Sequence, residues 1–206
     1  MSRFRDPLRL GFLASHGGSN VQAIVDAIPQ VDPWAEPRVV ICNNSSAMAL
    51  ERARNAGIPA HHLSGRTHPD PDALDAAIAE VLTAHDADLV VLAGYMKKIG
   101  PRVLGAFPNR IVNIHPALLP RHGGEGMYGL RVHKAVLAAG DEFTGVTIHL
   151  VNAEYDRGPN LAQESIAVRD EDTPESLQAR VLEIEHRIYA ETLRRIAKGL
   201  LHLDGY

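Results

Sequence analysis

The sequence predicts an α/β fold: a doubly wound, mostly parallel sheet with helices on both faces and antiparallel strands near the C-terminal half. In the first half, short apolar runs alternate with helical patterns. Strands joined by helices of this length are parallel, with right-handed crossovers. In the second half, two runs separated by a turn favour an antiparallel pair. With 206 residues, 45% of them hydrophobic, the chain suits one domain over residues 1–206.

Four apolar runs predict buried strands in the first half, at 8–14, 38–42, 60–63 and 89–93. The last of them, LVVLA, is the strongest strand signal in the chain. Helical spacing of apolar residues predicts three helices between these strands, at 21–28, 46–56 and 71–85. Ser19 or Asn20 is the expected cap of the first helix, and Gly57 is expected to end the second.

The second half has a different character, with three further strands and two helices around a long loop. The strands are expected at 110–114, 144–151 and 161–168, and the helices at 130–139 and 174–197. Apolar and polar residues alternate in the run TGVTIHLV, which predicts a strand with one exposed face. Thr173 and Pro174 are typical of a helix start. The loop at 116–129 is long for a compact domain, and such loops are usually functional or mobile.

Composition excludes several classes of protein. The formal net charge of −4 argues against a nucleic-acid partner. Cys42 is the single cysteine, which excludes an internal disulfide and fits a reducing cytosol. It lies in an apolar run. No run of 18 or more apolar residues is present, and the N-terminal apolar stretch is too short for a signal peptide, so a cytoplasmic protein without a membrane partner is expected.

The 11 histidines raise the question of a metal site. No H-x-x-x-H pair and no cysteine partner has the spacing of metal ligands. We therefore expect no metal, and we interpret most of these histidines as surface or helix-packing residues. No serine stands in a G-x-S-x-G context, so a nucleophilic serine is not predicted.

The first segment with chemical potential is SHGGSN, residues 15–20, between the first strand and the first helix. Glycines allow a tight turn and a close approach to a ligand, and a helix N-terminus suits phosphate. The third glycine of the dinucleotide fingerprint and the Gly-Lys-Ser/Thr of a Walker loop are both missing. A simple turn with a helix cap is an equally good interpretation of this segment alone.

The second segment is NIHP, residues 113–116, at the predicted end of a strand. Ligands of open parallel sheets bind just beyond the carboxyl ends of the strands. Asn113 and His115 are two residues apart, so both side chains face the same side of an extended strand. An amide and an imidazole facing one point can stabilise an oxyanion. By itself, a hydrogen-bonded pair at a strand end explains the segment slightly better.

The third segment is DRGP, residues 156–159, after the alternating strand. Asp-x-Gly-Pro is ordinary turn chemistry, which is the default interpretation. A carboxylate close to His115 would favour the charged imidazole and raise its pKa. The sequence does not show whether Asp156 and His115 meet.

Taken in order, these segments resemble the glycinamide ribonucleotide formyltransferases, a branch of the folate-dependent formyltransferases, from about residue 8 to 199. NIHPALLP followed later by Asp-x-Gly-Pro is specific to folate-dependent formyltransferases and their hydrolase relatives, and GGSN narrows the resemblance to the purine-pathway branch. Further matching stretches are LERARNAGIP (50–59), VVLAGYMKKI (90–99), HKAV (133–136), TGVTIHLV (144–151), LAQESI (161–166) and EHRIY (185–189).

The resemblance implies a role for each of three sets of residues. The catalytic set falls on Asn113, His115 and Asp156. The substrate-binding set, which holds the ribonucleotide and its phosphate, falls on Gly18, Ser19, Asn20, Arg110 and Glu185. The folate-binding set falls on Arg66, Leu92, Met96, Lys97, Lys98, Ile99 and Asn113. The chain departs from the family pattern at Lys97 and Lys98, where Arg-Ile is common, and at Arg157, where glycine is common.

The resemblance also implies the reaction: transfer of the formyl group of 10-formyltetrahydrofolate to the amine of glycinamide ribonucleotide, in de novo purine biosynthesis. Both partners are small molecules, no metal is needed, and the protein is expected to be a monomer or homodimer. Asn113 and a protonated His115 would stabilise the oxyanion, and Asp156 would keep His115 charged near neutral pH. The alternatives are formyl transfer to a nucleotide sugar or to methionyl-tRNA, formyl-folate hydrolysis, and a non-catalytic folate- or nucleotide-binding module.

Overall fold

The computed structural model describes residues 4–204, and its strands form one seven-stranded sheet. The strands are β1 (Leu8–Ala14), β2 (Ala35–Cys42), β3 (Ala60–His62), β4 (Leu89–Leu92), β5 (Ile111–His115), β6 (Phe143–Leu150) and β7 (Asn160–Ala167). Their order is β3-β2-β1-β4-β5-β6-β7. Neighbours among β1 to β5 are parallel, whereas β6 is antiparallel to both β5 and β7. The predicted fold class is confirmed.

Six helices are present among the described residues: α1 (Ser19–Asp26), α2 (Met48–Asn55), α3 (Pro71–Ala84), α4 (Pro101–Ala106), α5 (Leu130–Ala138) and α6 (Pro174–Ala197). The helices cover both faces of the sheet. Because successive strand residues point to opposite sides, each strand packs against the helices on both faces. Phe12 faces the apolar layer that includes α1, α2, α5 and α6. Its neighbour Leu13 faces the second layer, which includes α3 and α4. None of the described helices has the length and apolar character needed to cross a membrane.

Helix α4 was not predicted from the sequence, and its N-terminus shows why. The carboxylate of Asp75, on α3, accepts hydrogen bonds from the backbone N–H groups of Arg102 at 2.7 Å and Val103 at 3.4 Å. The cap of this six-residue helix therefore comes from a residue far away in the chain. Such a long-range cap leaves no local signal of the kind that Thr173 gives for α6, where the predicted capping residue is confirmed.

The start of α1 differs from the prediction that Ser19 or Asn20 caps it. Gly18 occupies the N-cap position with φ 70°, and no side chain within the described part of the chain caps the helix. A Cβ atom at Gly18 would lie 2.7 Å from the Cβ of Ala49, on α2. Glycine is thus required here by the left-handed backbone and by the close approach of the second helix.

Strand β6 is buried on both faces, so the predicted exposed face is wrong. Residues 144–150 are all buried, because β6 lies inside the sheet with α6 on one face and the loop around residue 118 on the other. The Thr147 hydroxyl donates to the Ala117 carbonyl at 2.7 Å and accepts from Leu119 N at 3.0 Å. Thr147 and His149 therefore face the interior of the protein and find their partners there, whereas the buried hydroxyl of Thr144 has no hydrogen-bond partner among the described residues.

Helix α6 is tied directly to β4 and to β5, the strand that leads into the segment NIHP. Tyr189 is fully buried, and its hydroxyl lies 3.1 Å from the Leu92 carbonyl oxygen and 3.0 Å from that of Val112. One hydroxyl hydrogen is thus shared between the ends of β4 and β5. This contact fixes the spacing of the two strands just below the predicted reactive residues.

Candidate active site

A cleft of about 470 Å³ opens at the carboxyl ends of the parallel strands, where ligands of doubly wound sheets bind. Its walls come from segments at 16–20, 92–99, 113–116, 124–129 and 149–156, and from α6. Segments that are far apart in the sequence therefore meet at one place. The three motifs singled out above, SHGGSN, NIHP and DRGP, all contribute residues to this cleft.

Asn113 and His115 lie on β5, and the antiparallel strand β6 adds a third polar side chain beside them. Asn113 pairs in register with His149, and His115 pairs with Thr147. The amide nitrogen of Asn113 lies 3.0 Å from His149 Nε2. His149 is 2% exposed, so it forms part of the buried wall of the site.

Asp156 lies in the turn after β6, where its φ of 54° places the carboxylate against both imidazoles. Its two oxygens are 3.5 Å from His115 Nδ1 and 3.5 Å from His149 Nε2. The backbone N–H of Gly124 donates to Oδ2 at 2.9 Å. Burial by itself would raise the pKa of Asp156, but its contact with His149, the charge of His115 and the hydrogen bond from Gly124 outweigh it and hold the pKa below its usual value. The meeting of Asp156 with His115, left open by the sequence, is thus present in the structure.

His115 is 3% exposed, and each of its ring nitrogens faces an oxygen. Nδ1 faces Asp156, and Nε2 lies 2.8 Å from the carbonyl oxygen of His122. Burial is the largest influence and lowers the pKa of His115, while Asp156 and the His122 carbonyl raise it; the net result is a lowered pKa. This direction contradicts the expectation that Asp156 keeps His115 charged near neutral pH, because burial outweighs the carboxylate.

His149 and His133 are site residues that sequence reasoning missed. His133, on α5, is 1% exposed and lines the cleft. Burial and the neighbouring His115 lower its pKa to about 4, so it is neutral at physiological pH. Its Nδ1 has no hydrogen-bond partner among the described residues. Although histidines are numerous here, no group of three or more His, Cys, Asp or Glu within residues 4–204 could hold a metal ion.

The N-terminus of α1 forms one end of the cleft. The first intrahelical bond runs from Gln22 N to Gly18 O, so the earlier backbone amides lack a helical acceptor. Asn20 donates from its side chain to Glu185 Oε2 at 2.8 Å, which links α1 to α6. Burial raises the pKa of Glu185, and the bond from Asn20 opposes the change only in part. Gly18, Ser19, Asn20 and Glu185, all predicted to bind substrate, line this end of the cleft together.

The segment after β4 forms the opposite wall. Leu92, Met96, Lys97, Lys98 and Ile99, all predicted to bind folate, line the cleft. The backbone N–H of Met96 donates to the Ser15 hydroxyl at 2.8 Å, which holds this segment against the end of β1. The Lys98 ammonium lies 5.7 Å from the centre of the Tyr155 ring across the cleft. Arg66 lies instead in an adjoining cavity of about 750 Å³, which shares Lys97, Lys98 and Ile99 with the cleft.

Arg110 is a second predicted site residue that lies outside the cleft. It precedes β5, so it lies at the amino ends of the parallel strands, opposite the cleft. Its guanidinium donates to the carbonyl oxygens of Ala106 at 2.7 Å and Asp88 at 3.5 Å, and it stacks on Phe107. The prediction failed because Arg110 stands before the first residue of β5, whereas Asn113 lies three residues further along the strand. Arg110 therefore lies at the amino edge of the sheet, and Asn113 reaches the cleft at the carboxyl edge.

The chain belongs to the formyl transferase family: the model of that family matches residues 8–193. Together with the doubly wound sheet and the polar cleft at its carboxyl edge, this defines the class of protein. Several of the relatives and solved structures that the chain resembles carry one more specific name, phosphoribosylglycinamide formyltransferase.

The relative from Escherichia coli K12 is 36% identical over 191 residues, covering 93% of this chain and 88% of its own length. The chloroplastic protein of Arabidopsis thaliana is 41% identical over 191 residues, or 92% of this chain. The chain spans only 65% of that plant relative. The crystal structure of glycinamide ribonucleotide transformylase 1 from Symbiobacterium toebii matches with a TM-score of 0.85 and 43% identity, over 93% of this chain and 88% of that one.

Proposed function

We propose that this protein transfers the formyl group of 10-formyltetrahydrofolate to the amine of glycinamide ribonucleotide, as in de novo purine biosynthesis. The observation that carries the proposal is the convergence of Asn113, His115 and Asp156 in one cleft with the N-terminus of α1. The names of the relatives support the same reaction. Both substrates are small molecules, and the mechanism requires no metal.

The phosphate of the ribonucleotide is proposed to lie on the backbone amides at Gly18, Ser19 and Asn20. A helix N-terminus offers N–H donors and a partial positive charge to such a group. Glu185 accepts from Asn20 and is aimed at the same end of the cleft, so it can also accept from the sugar hydroxyls. The folate is proposed to lie along residues 92–99, with Arg66, Lys97 and Lys98 available to its glutamate carboxylates.

The reaction is proposed to be direct attack of the substrate amine on the formyl carbon. The new C–N bond forms as the carbonyl electrons move to oxygen, and the Asn113 amide donates to that oxyanion. When the bond between the formyl carbon and N10 of the folate breaks, the electron pair returns to N10. No covalent enzyme intermediate is needed, because the amine itself is the nucleophile.

The proton that the amine loses must reach N10, and His115 is placed to carry it. Because Nε2 faces the His122 carbonyl at 2.8 Å, the proton of a neutral ring belongs on Nε2. Nδ1 is then a free base on the side of Asp156. We propose that Nδ1 accepts the amine proton, is stabilised by Asp156 while charged, helps to stabilise the oxyanion, and then donates the proton to N10. His115 thus starts neutral, in agreement with its lowered pKa.

An assay of formyl-folate consumption tests the proposed acceptor. We expect the purified protein to convert 10-formyltetrahydrofolate to tetrahydrofolate only when glycinamide ribonucleotide is present, with one formylated product for each folate consumed. Consumption without any acceptor would identify a hydrolase, and consumption only with an amino-sugar nucleotide would identify the sugar branch. Binding of folate without turnover under every condition would leave a binding module.

A further inference from the structure

One residue of the long loop, His122, contacts the site through its backbone and a different partner through its side chain. Its φ of 53° is left-handed, an uncommon conformation for a residue other than glycine. The carbonyl oxygen points inward to His115 Nε2 at 2.8 Å. The imidazole points away from the cleft and belongs to none of its walls. Two contacts, one through the backbone and one through the side chain, therefore hold the same turn.

The side chain of His122 is fixed by a second residue outside the site, Asp141. His122 Nε2 lies 2.6 Å from Asp141 Oδ2, and the two side chains are only 15% and 7% exposed. Asp141 is itself held just beyond α5, where its backbone N–H donates to the Val136 carbonyl at 3.3 Å. The hydrogen bond from His122 is the main reason that the pKa of Asp141 lies below its usual value. A carboxylate on a fixed helix end thus anchors the turn.

The turn that Asp141 anchors contacts both His115, the proposed proton carrier, and its partner Asp156. His122 O contacts His115, and two residues later Gly124 N donates to Asp156 Oδ2 at 2.9 Å. The residue between them, Gly123, packs closely, since a Cβ there would lie 2.4 Å from the Leu119 side chain and 3.2 Å from the Cβ of Asp156. A shift of His122 would therefore disturb the hydrogen bonds of His115 and of Asp156 together.

We infer that His122 and Asp141 form a positioning pair, which holds the His122 carbonyl on His115 Nε2 and so keeps Nδ1 of His115 as the nitrogen that takes up the proton. This role in turnover rests on the proposed function, whereas the effect on the ring of His115 does not. The other titratable groups that face His115 are Asp156, His149 and His133. None of them contacts Nε2, and Asp156 is 3.5 Å from Nδ1, whereas the His122 carbonyl lies 2.8 Å from Nε2; this shorter contact favours the proton on Nε2.

Four variants separate positioning from general support of the fold. His122→Asn tolerates the left-handed backbone but is too short to reach Asp141, and Asp141→Ala removes the anchor from the other side. His122→Gln is the conservative variant, because its amide can replace the Nε2 donor. Arg121→Ala is the matched control: Arg121 binds the other oxygen of Asp141 at 2.5 Å, but its side chain is 67% exposed and does not line the cleft.

Two measurements are made on each variant: the ring ¹⁵N spectrum of His115 in the free protein, and kcat and KM across pH. We expect His122→Asn and Asp141→Ala to lose the pure Nε2–H form of His115 and to lower kcat by roughly 10- to 100-fold, with little change in either KM. The His115 limb of the pH profile should move to lower pH, because the His122 carbonyl raises the pKa of His115. His122→Gln should recover most of the rate. The double variant that combines His122→Asn with Asp141→Ala should be no slower than either single variant.

The inference is overturned if His115 keeps its Nε2–H form in both His122→Asn and Asp141→Ala. It is also overturned if the losses appear in KM rather than kcat, if they add in the double variant, or if Arg121→Ala reproduces them. A changed tautomer in a protein that transfers no formyl group would uphold the positioning pair and reject the proposed function. A variant that fails to fold is replaced in this comparison by the other single variant.

Discussion

At His115, two physical effects act against each other. Each ring nitrogen faces an oxygen, an arrangement that only the imidazolium satisfies completely, yet burial disfavours the charge and prevails in the free protein. A group balanced in this way is neutral at rest and is readily charged when a new negative oxygen approaches. This is the behaviour expected of a proton carrier near neutral pH.

Replacement of Asn113 tests the oxyanion role at the same scale. Asn113→Ala removes the amide donor at the end of β5, and loss of one such donor typically lowers kcat by about 10²–10³. We expect a loss of this size in steady-state kinetics, with KM for the ribonucleotide little changed. Asn160→Ala is the control, because Asn160 is exposed at the start of β7 and does not line the cleft. A near-native kcat in folded Asn113→Ala would contradict the assigned role.

Residues that lie close together in the sequence could be predicted to act together, whereas residues that meet only through pairing of β5 with β6 could not. Asn113 and His115 were found from their spacing on one strand. His149 was missed because its approach to Asn113 depends on the register of β5 with β6, which the sequence does not display. His133 was missed for a similar reason, since a buried histidine on a helix usually belongs to the core.

At the scale of elements, the N-terminus of α1 depends on one glycine. Gly18→Ala would force a side chain into a left-handed conformation, which costs roughly 1–2 kcal/mol, and would also press it against Ala49. We therefore expect lower stability in urea unfolding and a higher KM for the phosphorylated substrate. Gly17→Ala is the matched control for stability, because a Cβ there meets nothing within 4 Å. Equal unfolding curves for the two variants would show that α2 adapts to the added methyl group.

Helix α6 supports the site through Tyr189, and removal of the hydroxyl oxygen of this side chain tests the support. Tyr189→Phe keeps the ring but leaves the carbonyls of Leu92 and Val112 without their shared donor. An unsatisfied buried polar group costs about 1–3 kcal/mol, so the free energy of unfolding should fall by that amount. We also expect a lower kcat, because the ends of β4 and β5 are then free to separate. An unchanged urea midpoint and kcat would mean that other contacts fix these strands.

The elements themselves were largely predictable, because their apolar runs and helical periods are strong. Strand β6 is the informative failure: its alternation was interpreted as an exposed face, whereas Thr147 faces the loop at 117–121 and His149 faces the cleft. Alternation reports two different faces of a strand, but it does not report whether the polar face meets water or other protein groups. The packing of α6 on one face of β6 and of the loop at 117–121 on the other decides this.

For the whole molecule, the buried histidines predict acid sensitivity. His133 has a pKa of about 4 in the folded protein and 6.5 in the unfolded chain. This difference corresponds to a loss of roughly 3 kcal/mol in the free energy of unfolding once the pH is below both values. Between these values the unfolded state binds more protons, so stability is full above pH 6.5 and falls as the pH decreases towards 4. Burial also lowers the pKa of His61, His115 and His186, which adds to the slope in the same direction.

His133→Gln should flatten this decline, as measured by urea unfolding at a series of pH values. The variant removes the group whose protonation opposes folding, although it also changes a buried contact and can lower stability at neutral pH. His202→Gln, at an exposed position near the end of the described chain, should leave the slope unchanged. An identical slope in His133→Gln and in the unaltered protein would contradict the assignment.

The overall topology was predictable because repeated strand–helix–strand units permit few arrangements. The assembly of the site was not, since it needs the edge of the sheet at which each segment emerges. Arg110 shows the difference most clearly: it is close to Asn113 in sequence but lies across the full length of β5 from the cleft. Contacts between distant segments, such as Asn20 with Glu185, had no local signal beyond the family resemblance.

The hydroxyl of Tyr189 has a consequence for the order in which the protein becomes active. Ribosomes build the chain from its first residue at about 5–20 residues per second, so the strands with the reacting side chains emerge before the last helix. An unfinished chain already carries Asn113, His115 and Asp156, but not the clamp on Leu92 and Val112. In a newly made chain, the ends of β4 and β5 should thus reach their final spacing only after α6 has left the ribosome and packed on the sheet.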